Sequence, residues 1–165
     1  MTADQTESRA PVDRPAGRIV LLDREGRILL FKVREPGDGT ELWLTPGGGL
    51  LPGESYEAAA RRELFEETGI RAEVGPCVWT WEEVFTWNHV LHRAPQRFFL
   101  VRARSSLIDV TGFDAVEASF TLGHRWWSAA EIEASDELFV PERLAEHLRP
   151  LVEGQVPPTP VDLRG

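Results

Sequence analysis

Three carboxylates lie close together in a short segment of the chain, and no lysine separates them. They are Glu63, Glu66 and Glu67. On an α-helix, which advances about 100° per residue, their side chains would fall within a single arc of roughly 100°. Like charges three and four residues apart repel each other on a helix, and a hard divalent cation with oxygen ligands would compensate that repulsion. The spacing therefore predicts a metal site, and a solvated acidic helix face is the alternative.

A glycine-dense loop leads directly into this predicted helix. It contains Pro46 and three successive glycines, followed by Pro52, Gly53 and Glu54. Loops of this composition let backbone groups approach a ligand closely, which suits phosphate or cation binding beside an acidic face. The loop and the carboxylates together favour the metal site over the solvated face.

The loop and the helix also fill every fixed position of a known motif. The segment 48–70 resembles the Nudix box, Gly-x5-Glu-x7-Arg-Glu-apolar-x-Glu-Glu-x-Gly-apolar. Its fixed positions are occupied here by Gly48, Glu54, Arg62, Glu63, Leu64, Glu66, Glu67, Gly69 and Ile70. The resemblance implies a Nudix hydrolase with an α/β/α sandwich around a mixed β-sheet. Such enzymes cleave nucleoside diphosphates linked to another moiety, and they use Mg²⁺ or Mn²⁺.

The resemblance further implies roles for individual residues. The three clustered carboxylates would bind the metal together with the backbone carbonyl of Gly47, and Glu67 is the firmest ligand of the set. Glu54 and Arg62 would support the site by tying the loop to the helix through an ion pair. The segment 125–132 resembles the late strand and helix entry that are common in this family.

Hydrolysis of a phosphoanhydride also needs a group that accepts the proton of the attacking water. Glu63 or Glu66 could do this, or a carboxylate from a downstream segment. Among the downstream candidates we rank Glu117 first, ahead of Glu82 and Glu83, because the resemblance implies an acid shortly before the late strand, which is where Glu117 lies.

Aromatic residues are the main candidates for substrate binding. Trp79 and Trp81 alternate with smaller residues, so they share one face of a predicted strand, and that face could stack a purine base. The alternative is that both pack in the core beneath the box helix. Arg97 could approach phosphate oxygens, and Trp43 or Trp87 would be the next candidates for stacking. Subgroup motifs outside the box are absent, so the particular nucleotide is left unassigned.

Composition indicates one domain and a small substrate. The chain has 165 residues, 42% of them hydrophobic, and a net charge of -9, which argues against a nucleic-acid polymer as partner. A lone Cys77 and the lack of a long apolar run predict a cytoplasmic protein without a membrane segment. A homodimer is compatible with these observations. The alternative to an enzyme is a non-catalytic Nudix-like module that binds a nucleotide as a regulator, but the intact box favours the enzyme.

The sequence predicts a flexible tail at 1–16, a Nudix domain at 17–153 and a proline-rich, extended tail at 154–165. Turn residues and apolar alternation predict strands at 18–22, 28–33, 42–44, 73–74, 78–85, 96–104 and 124–127. Helices are predicted at 55–68, 128–134 and 141–152. The first of these helices should end at Gly69 and bury Ala58, Ala60, Leu64 and Phe65.

Overall fold

The computed structural model describes residues 10–164. The helices are α1 (Tyr56–Thr68), α2 (Ala115–Phe120), α3 (Ala129–Ala134) and α4 (Leu144–Val152). The strands are β1 (Val12–Asp13), β2 (Ala16–Leu22), β3 (Ile28–Arg34), β4 (Glu41–Leu44), β5 (Gly47–Gly49), β6 (Cys77–Trp87), β7 (Val90–Arg102), β8 (Thr121–Trp127), β9 (Phe139–Val140) and β10 (Val161–Asp162).

All the strands belong to one mixed sheet. Its main order is β10-β6-β7-β2-β3-β4-β9, while β1 pairs with β7, β5 with β2 and β8 with β3. The central strand β2 runs parallel to β7 and antiparallel to β3 and β5. The prediction of a mixed sheet is therefore confirmed.

Alternating side chains of β2 divide the core between the two faces of this sheet. Ile19 and Leu21 pack in one cluster with Leu64 of α1. Val20 and Leu22 pack in a second cluster with residues of α3 and α4. The sheet thus lies between α1 on one face and the C-terminal helices on the other, which is the predicted α/β/α sandwich.

Helix α1 begins one residue later than predicted and ends at the predicted residue. The Ser55 side chain accepts a hydrogen bond from the backbone N–H of Ala58, so Ser55 caps the N-terminus. Gly69 takes the left-handed conformation, with φ of 73°, and its N–H donates to the Phe65 carbonyl. The predicted start and stop residues are therefore the actual caps.

The rotation of α1 differs from the predicted one. Phe65 is 43% exposed, and the Arg71 guanidinium stacks over its ring. The buried side of α1 consists of Ala59, Ala60, Glu63, Leu64, Glu67 and Thr68. A Cβ at Gly17 would lie 2.3 Å from the Tyr56 carbonyl oxygen and 2.9 Å from the Ala60 nitrogen. Helix α1 therefore rests directly on the β2 backbone, with two of its carboxylates turned toward the sheet.

Both terminal segments contribute strands to the sheet. Of the tail predicted at 1–16, residues 1–9 lie outside the described part of the chain, while Val12 pairs with His92 of β7. In the C-terminal tail, Val161 pairs with Trp79 of β6, and the Leu163 N–H donates to the Thr80 carbonyl at 2.9 Å. The domain boundaries predicted from proline content thus cut through the sheet.

Two further sequence predictions change in detail. The segment 73–74 has no strand geometry, and β6 and β7 form a much longer hairpin than predicted. The turn of this hairpin is made by Asn88 and His89, whose φ angles of 47° and 65° are left-handed.

Among residues 10–164, no helix is both long and apolar enough to cross a membrane.

Candidate functional site

The glycine loop is fastened to α1 by one arginine. Arg62 donates from Nε and Nη2 to the two carboxylate oxygens of Glu54, each at 2.9 Å, and from Nη2 to the Gly49 carbonyl at 3.0 Å. Glu54 also accepts from the Leu51 N–H at 3.0 Å. Hydrogen bonding to Arg62 holds the pKa of Glu54 below its usual range. The ion pair expected between Glu54 and Arg62 is present, and it fixes the loop against the helix.

Three carboxylates converge beside this loop. Glu63, Glu67 and Glu117 each offer an oxygen that lies within 4.8 Å of the other two. The Gly47 N–H donates to Glu67 Oε2 at 2.9 Å. Glu63 Oε2 is buried and accepts no hydrogen bond from any described residue. A buried carboxylate oxygen without a partner is costly, and divalent cations are bound by groups of carboxylate oxygens such as this one. The donor set therefore fits a hard divalent cation.

Burial and mutual repulsion make it unfavourable for Glu63, Glu67 and Glu117 to be ionised at the same time. Burial, followed by the charge of Glu63, raises the pKa of Glu67 well above its usual value. Burial also raises the pKa of Glu63. Burial and the neighbouring charge of Glu63 raise the pKa of Glu117 to about 7. The group therefore needs positive charge, from protons or from a cation.

Two glycines of β5 permit close contacts, one with the Glu63 carboxylate and one with strand β2. A Cβ at Gly48 would lie 2.6 Å from Glu63 Oε1. Gly47 has φ of 138°, and a Cβ there would lie 2.4 Å from the Gly17 carbonyl oxygen. A side chain at Gly48 would displace the Glu63 carboxylate, and one at Gly47 would displace β5 from β2.

The structure groups the predicted site carboxylates differently from the sequence pattern. Glu66, predicted as a ligand and as a candidate base, lies outside the group of three. Its Oε2 instead accepts from Arg62 Nη1 at 3.2 Å, and its side chain is 40% exposed. Glu117, predicted as a proton acceptor, joins Glu63 and Glu67, because the loop that leads into α2 lies against the C-terminal end of α1, where the Asp109 N–H donates to the Thr68 carbonyl at 2.9 Å. A Cβ at Gly112, just before α2, would lie 2.3 Å from the Glu66 carbonyl oxygen.

The prediction that Trp79 binds substrate is wrong. Trp79 is only 2% exposed, and its ring packs against Phe98 and His147. The alternative of a core position is correct, but the contact is with α4 rather than beneath the box helix. Trp81 is half-buried against the same core. Arg97 lies on the other face of the sheet, where its guanidinium stacks 4.5 Å from the centre of the Tyr56 ring.

A chain of three polar side chains beside the loop was not predicted as a unit. Arg18 donates from Nη1 to the Gly47 carbonyl at 3.2 Å and from Nε to Gln96 Oε1 at 2.9 Å. Gln96 in turn donates from Nε2 to Glu83 Oε2 at 3.3 Å. These residues come from three different strands, so no local sequence pattern connects them. The Gly47 carbonyl, predicted as a metal ligand, is thus held by an arginine.

The end of the long β6–β7 hairpin contacts α2 and the β3–β4 loop. The Trp87 ring meets the Phe120 ring of α2 edge-on, with centroids 5.2 Å apart. The Asn88 N–H donates to the buried carboxylate of Glu35 in the β3–β4 loop. These contacts place one face of the hairpin opposite the helix that carries Glu117.

Comparison with known proteins identifies the family. The model of the NUDIX domain matches residues 12–153, which is most of the chain. The chain therefore belongs to the Nudix family, and the family predicted from the box is confirmed.

Individual relatives agree with this assignment. An RNA pyrophosphohydrolase of Roseobacter denitrificans is 28% identical over 130 residues, covering 72% of this chain and 79% of the relative. An RNA pyrophosphohydrolase of Cereibacter sphaeroides is 47% identical over 60 residues, and that match spans only 36% of each chain. Among solved structures, a MutT NUDIX hydrolase from Burkholderia pseudomallei is 27% identical, with a TM-score of 0.62 over 83% of this chain and 96% of that one.

Proposed function

We propose that this protein hydrolyses a phosphoanhydride bond in a small nucleotide or nucleoside diphosphate derivative and depends on Mg²⁺ or Mn²⁺. The observation that carries the proposal is the group of three carboxylates within 4.8 Å of one another, built around a Nudix box without departures. A cation there would be held by Glu63 and Glu67, with the Glu117 carboxylate beside it. The oxygen ligands favour Mg²⁺ and Mn²⁺ over metals that prefer sulfur or imidazole.

The protein's own groups supply position and a proton acceptor. When bound, a divalent cation neutralises phosphate oxygens and lowers the pKa of a bound water. Arg62 keeps the glycine loop and α1 in a fixed relation through its bonds to Glu54 and Gly49. Glu117 is half-buried beside the other two carboxylates, so it can take a proton from a water that attacks at this place. Glu117 therefore remains our first candidate for the general base.

A second candidate substrate is the 5′ end of an RNA chain. The relatives named RNA pyrophosphohydrolase favour it, since one of them aligns over 79% of its length. The net charge of -9 weighs against a long polymer, and a terminal phosphate group presents the same anhydride chemistry as a free nucleotide. Both candidates therefore require the same carboxylates.

The test is release of phosphate or pyrophosphate from a panel of nucleotides and a 5′-triphosphorylated RNA oligonucleotide, in Mg²⁺, Mn²⁺ or EDTA. We expect turnover with either cation and none in EDTA. Glu67→Gln should lower turnover on the order of a hundredfold or more, because it removes an anionic oxygen from the group. Glu57→Gln, on the exposed side of the same helix, should leave turnover unchanged.

The outcomes separate the alternatives. Nucleotide binding without turnover in any condition would favour the non-catalytic module. Equal turnover of wild type and Glu67→Gln at saturating Mg²⁺ would contradict the assigned site. Turnover of RNA ends but not of free nucleotides would select the second candidate.

A further inference from the structure

One face of the β6–β7 hairpin is equipped to bind a flat ligand. Glu83, Phe85 and Trp87 alternate along β6, so they share a face, and all three are half-buried. Trp87 contacts Phe120 of α2, and α2 carries Glu117. At Trp87 the shared face, which we call the hairpin face, therefore meets the helix that carries Glu117.

The hairpin face is tied to the glycine loop by hydrogen bonds. Arg18 binds the Gly47 carbonyl and Gln96, and Gln96 binds Glu83. Gln96 is only 5% exposed, so this connection runs through the interior. This chain of side chains connects Glu83 to the loop beside the carboxylate group.

Glu83 has hydrogen-bonding capacity that the protein does not use. Among the described residues its carboxylate accepts only one hydrogen bond, the 3.3 Å bond from Gln96. Burial raises the pKa of Glu83, while the charge of Arg18 attracts its carboxylate and that of Glu142 repels it. A carboxylate has two oxygens and about four acceptor positions, and a half-buried one has lost part of its water. It therefore favours a ligand that presents N–H donors.

We propose that Glu83 reads the base of the nucleotide substrate and that this base is guanine. Guanine presents two adjacent donors, N1–H and the N2 amine, to the two oxygens of one carboxylate. Adenine and cytosine place a ring nitrogen acceptor next to their single amine, and uracil flanks its one N–H with carbonyl oxygens. The Phe85 ring lies beside Glu83 on the hairpin face and offers a surface for stacking the base. The inference rests on the proposed function, because it assumes a nucleotide held by the carboxylate group.

The test uses nucleoside monophosphates, which contain no phosphoanhydride bond, so binding is measured apart from hydrolysis. The full-length protein is titrated in Mg²⁺ with GMP, IMP and AMP by calorimetry. IMP differs from GMP only by the missing N2 amine. We expect GMP to bind at least about tenfold more tightly than IMP, and AMP to bind more weakly than GMP, because a site that pairs with a donor rejects the analogue that lacks it.

Glu83→Gln keeps the size of the side chain but replaces one acceptor oxygen with a donor, so the preference for GMP over IMP should disappear. The matched control is Glu82→Gln, because Glu82 is the exposed neighbour on the opposite face of β6. That variant should keep the full preference.

Equal affinity for GMP and IMP in the wild type would overturn the inference, and this comparison does not depend on any variant being stable. A preference retained in Glu83→Gln would overturn it as well. A GMP preference in a protein that hydrolyses no nucleotide of the panel would support the guanine site and contradict the hydrolase. Hydrolysis without a guanine preference would support the hydrolase and contradict the guanine site.

Discussion

Gly48→Ala tests whether the glycine loop positions Glu63 for a cation. The added Cβ would lie 2.6 Å from Glu63 Oε1 and 2.8 Å from Glu63 Cδ, and contacts this short force one group to move. Gly48 has an ordinary backbone conformation that alanine can adopt, since its φ lies outside the left-handed range. The three atoms nearest to the added Cβ all belong to Glu63, so the Glu63 carboxylate, which accepts from Arg62 Nη1 at 2.9 Å, must rotate away from the loop.

The expected effect on activity is much larger than the effect on folding. Glu63 can move at the end of its side chain, so the cost in unfolding free energy should be that of an off-rotamer side chain, about 0.5–1.5 kcal/mol. Displacing a site group by about 1 Å can reduce turnover by on the order of a hundredfold. We therefore expect kcat/KM to fall roughly tenfold to a hundredfold while the protein remains folded.

The assay is turnover as a function of Mg²⁺ concentration, combined with melting curves in EDTA and in Mg²⁺. A bound cation raises the melting temperature by mass action, and this rise should shrink in Gly48→Ala. Gly123→Ala is the matched control, because no described atom lies within 4 Å of the Cβ position at Gly123. If both variants need the same Mg²⁺ concentration and show the same rise in melting temperature, the reasoning about Glu63 is refuted.

Three further substitutions test the surroundings of the site. In EDTA, Glu63→Gln should raise the melting temperature, because it removes a buried charge close to Glu67; it should also weaken the response to Mg²⁺, while Glu57→Gln changes neither. Arg62→Lys should lower the unfolding free energy in urea by about 1–3 kcal/mol, because lysine lacks the planar fork that bonds the loop, whereas Arg61→Lys should change it by about 0.5 kcal/mol or less. Trp79→Ala should cost about 3–5 kcal/mol by leaving a cavity; a raised Michaelis constant with unchanged stability would return base stacking to this residue.

Local signals in the sequence were sufficient for the loop and the helix. Ser55 and Gly69 act within one helical turn of the ends that they cap, so their identity alone fixed the bounds of α1. The pairing of Glu54 with Arg62 likewise joins residues on neighbouring segments of the box. Such contacts depend on short chain distances, which residue spacing describes well.

Which aromatic residues of β6 are free to stack a base depends on tertiary contacts that the spacing of residues in the sequence does not describe. Periodicity correctly placed Trp79 and Trp81 on one face of a strand, but it could not tell which helices cover that face. The answer depends on β6 pairing with β7 and on α4 packing against Trp79 through His147. The stacking candidates therefore move along the same face to Phe85 and Trp87, beyond the part that α4 covers.

The rotation of α1 about its axis determines which of its carboxylates belong to the candidate metal site. With about 100° per residue, Glu63 and Glu67 lie about 40° apart, and Glu66 lies about 60° to the other side of Glu63. Gly17 lets α1 lie against β2 with Glu67 and Ala60 near the centre of its buried side. Glu66 is then left at the border, where Arg62 binds it. The same rotation turns Phe65 outward. It also leaves space beside Glu63 and Glu67, which the Glu117 side chain of α2 occupies. The acidic pattern thus predicted an acidic cluster, while the packing of α1 against β2 and the loop before α2 determines which carboxylates meet.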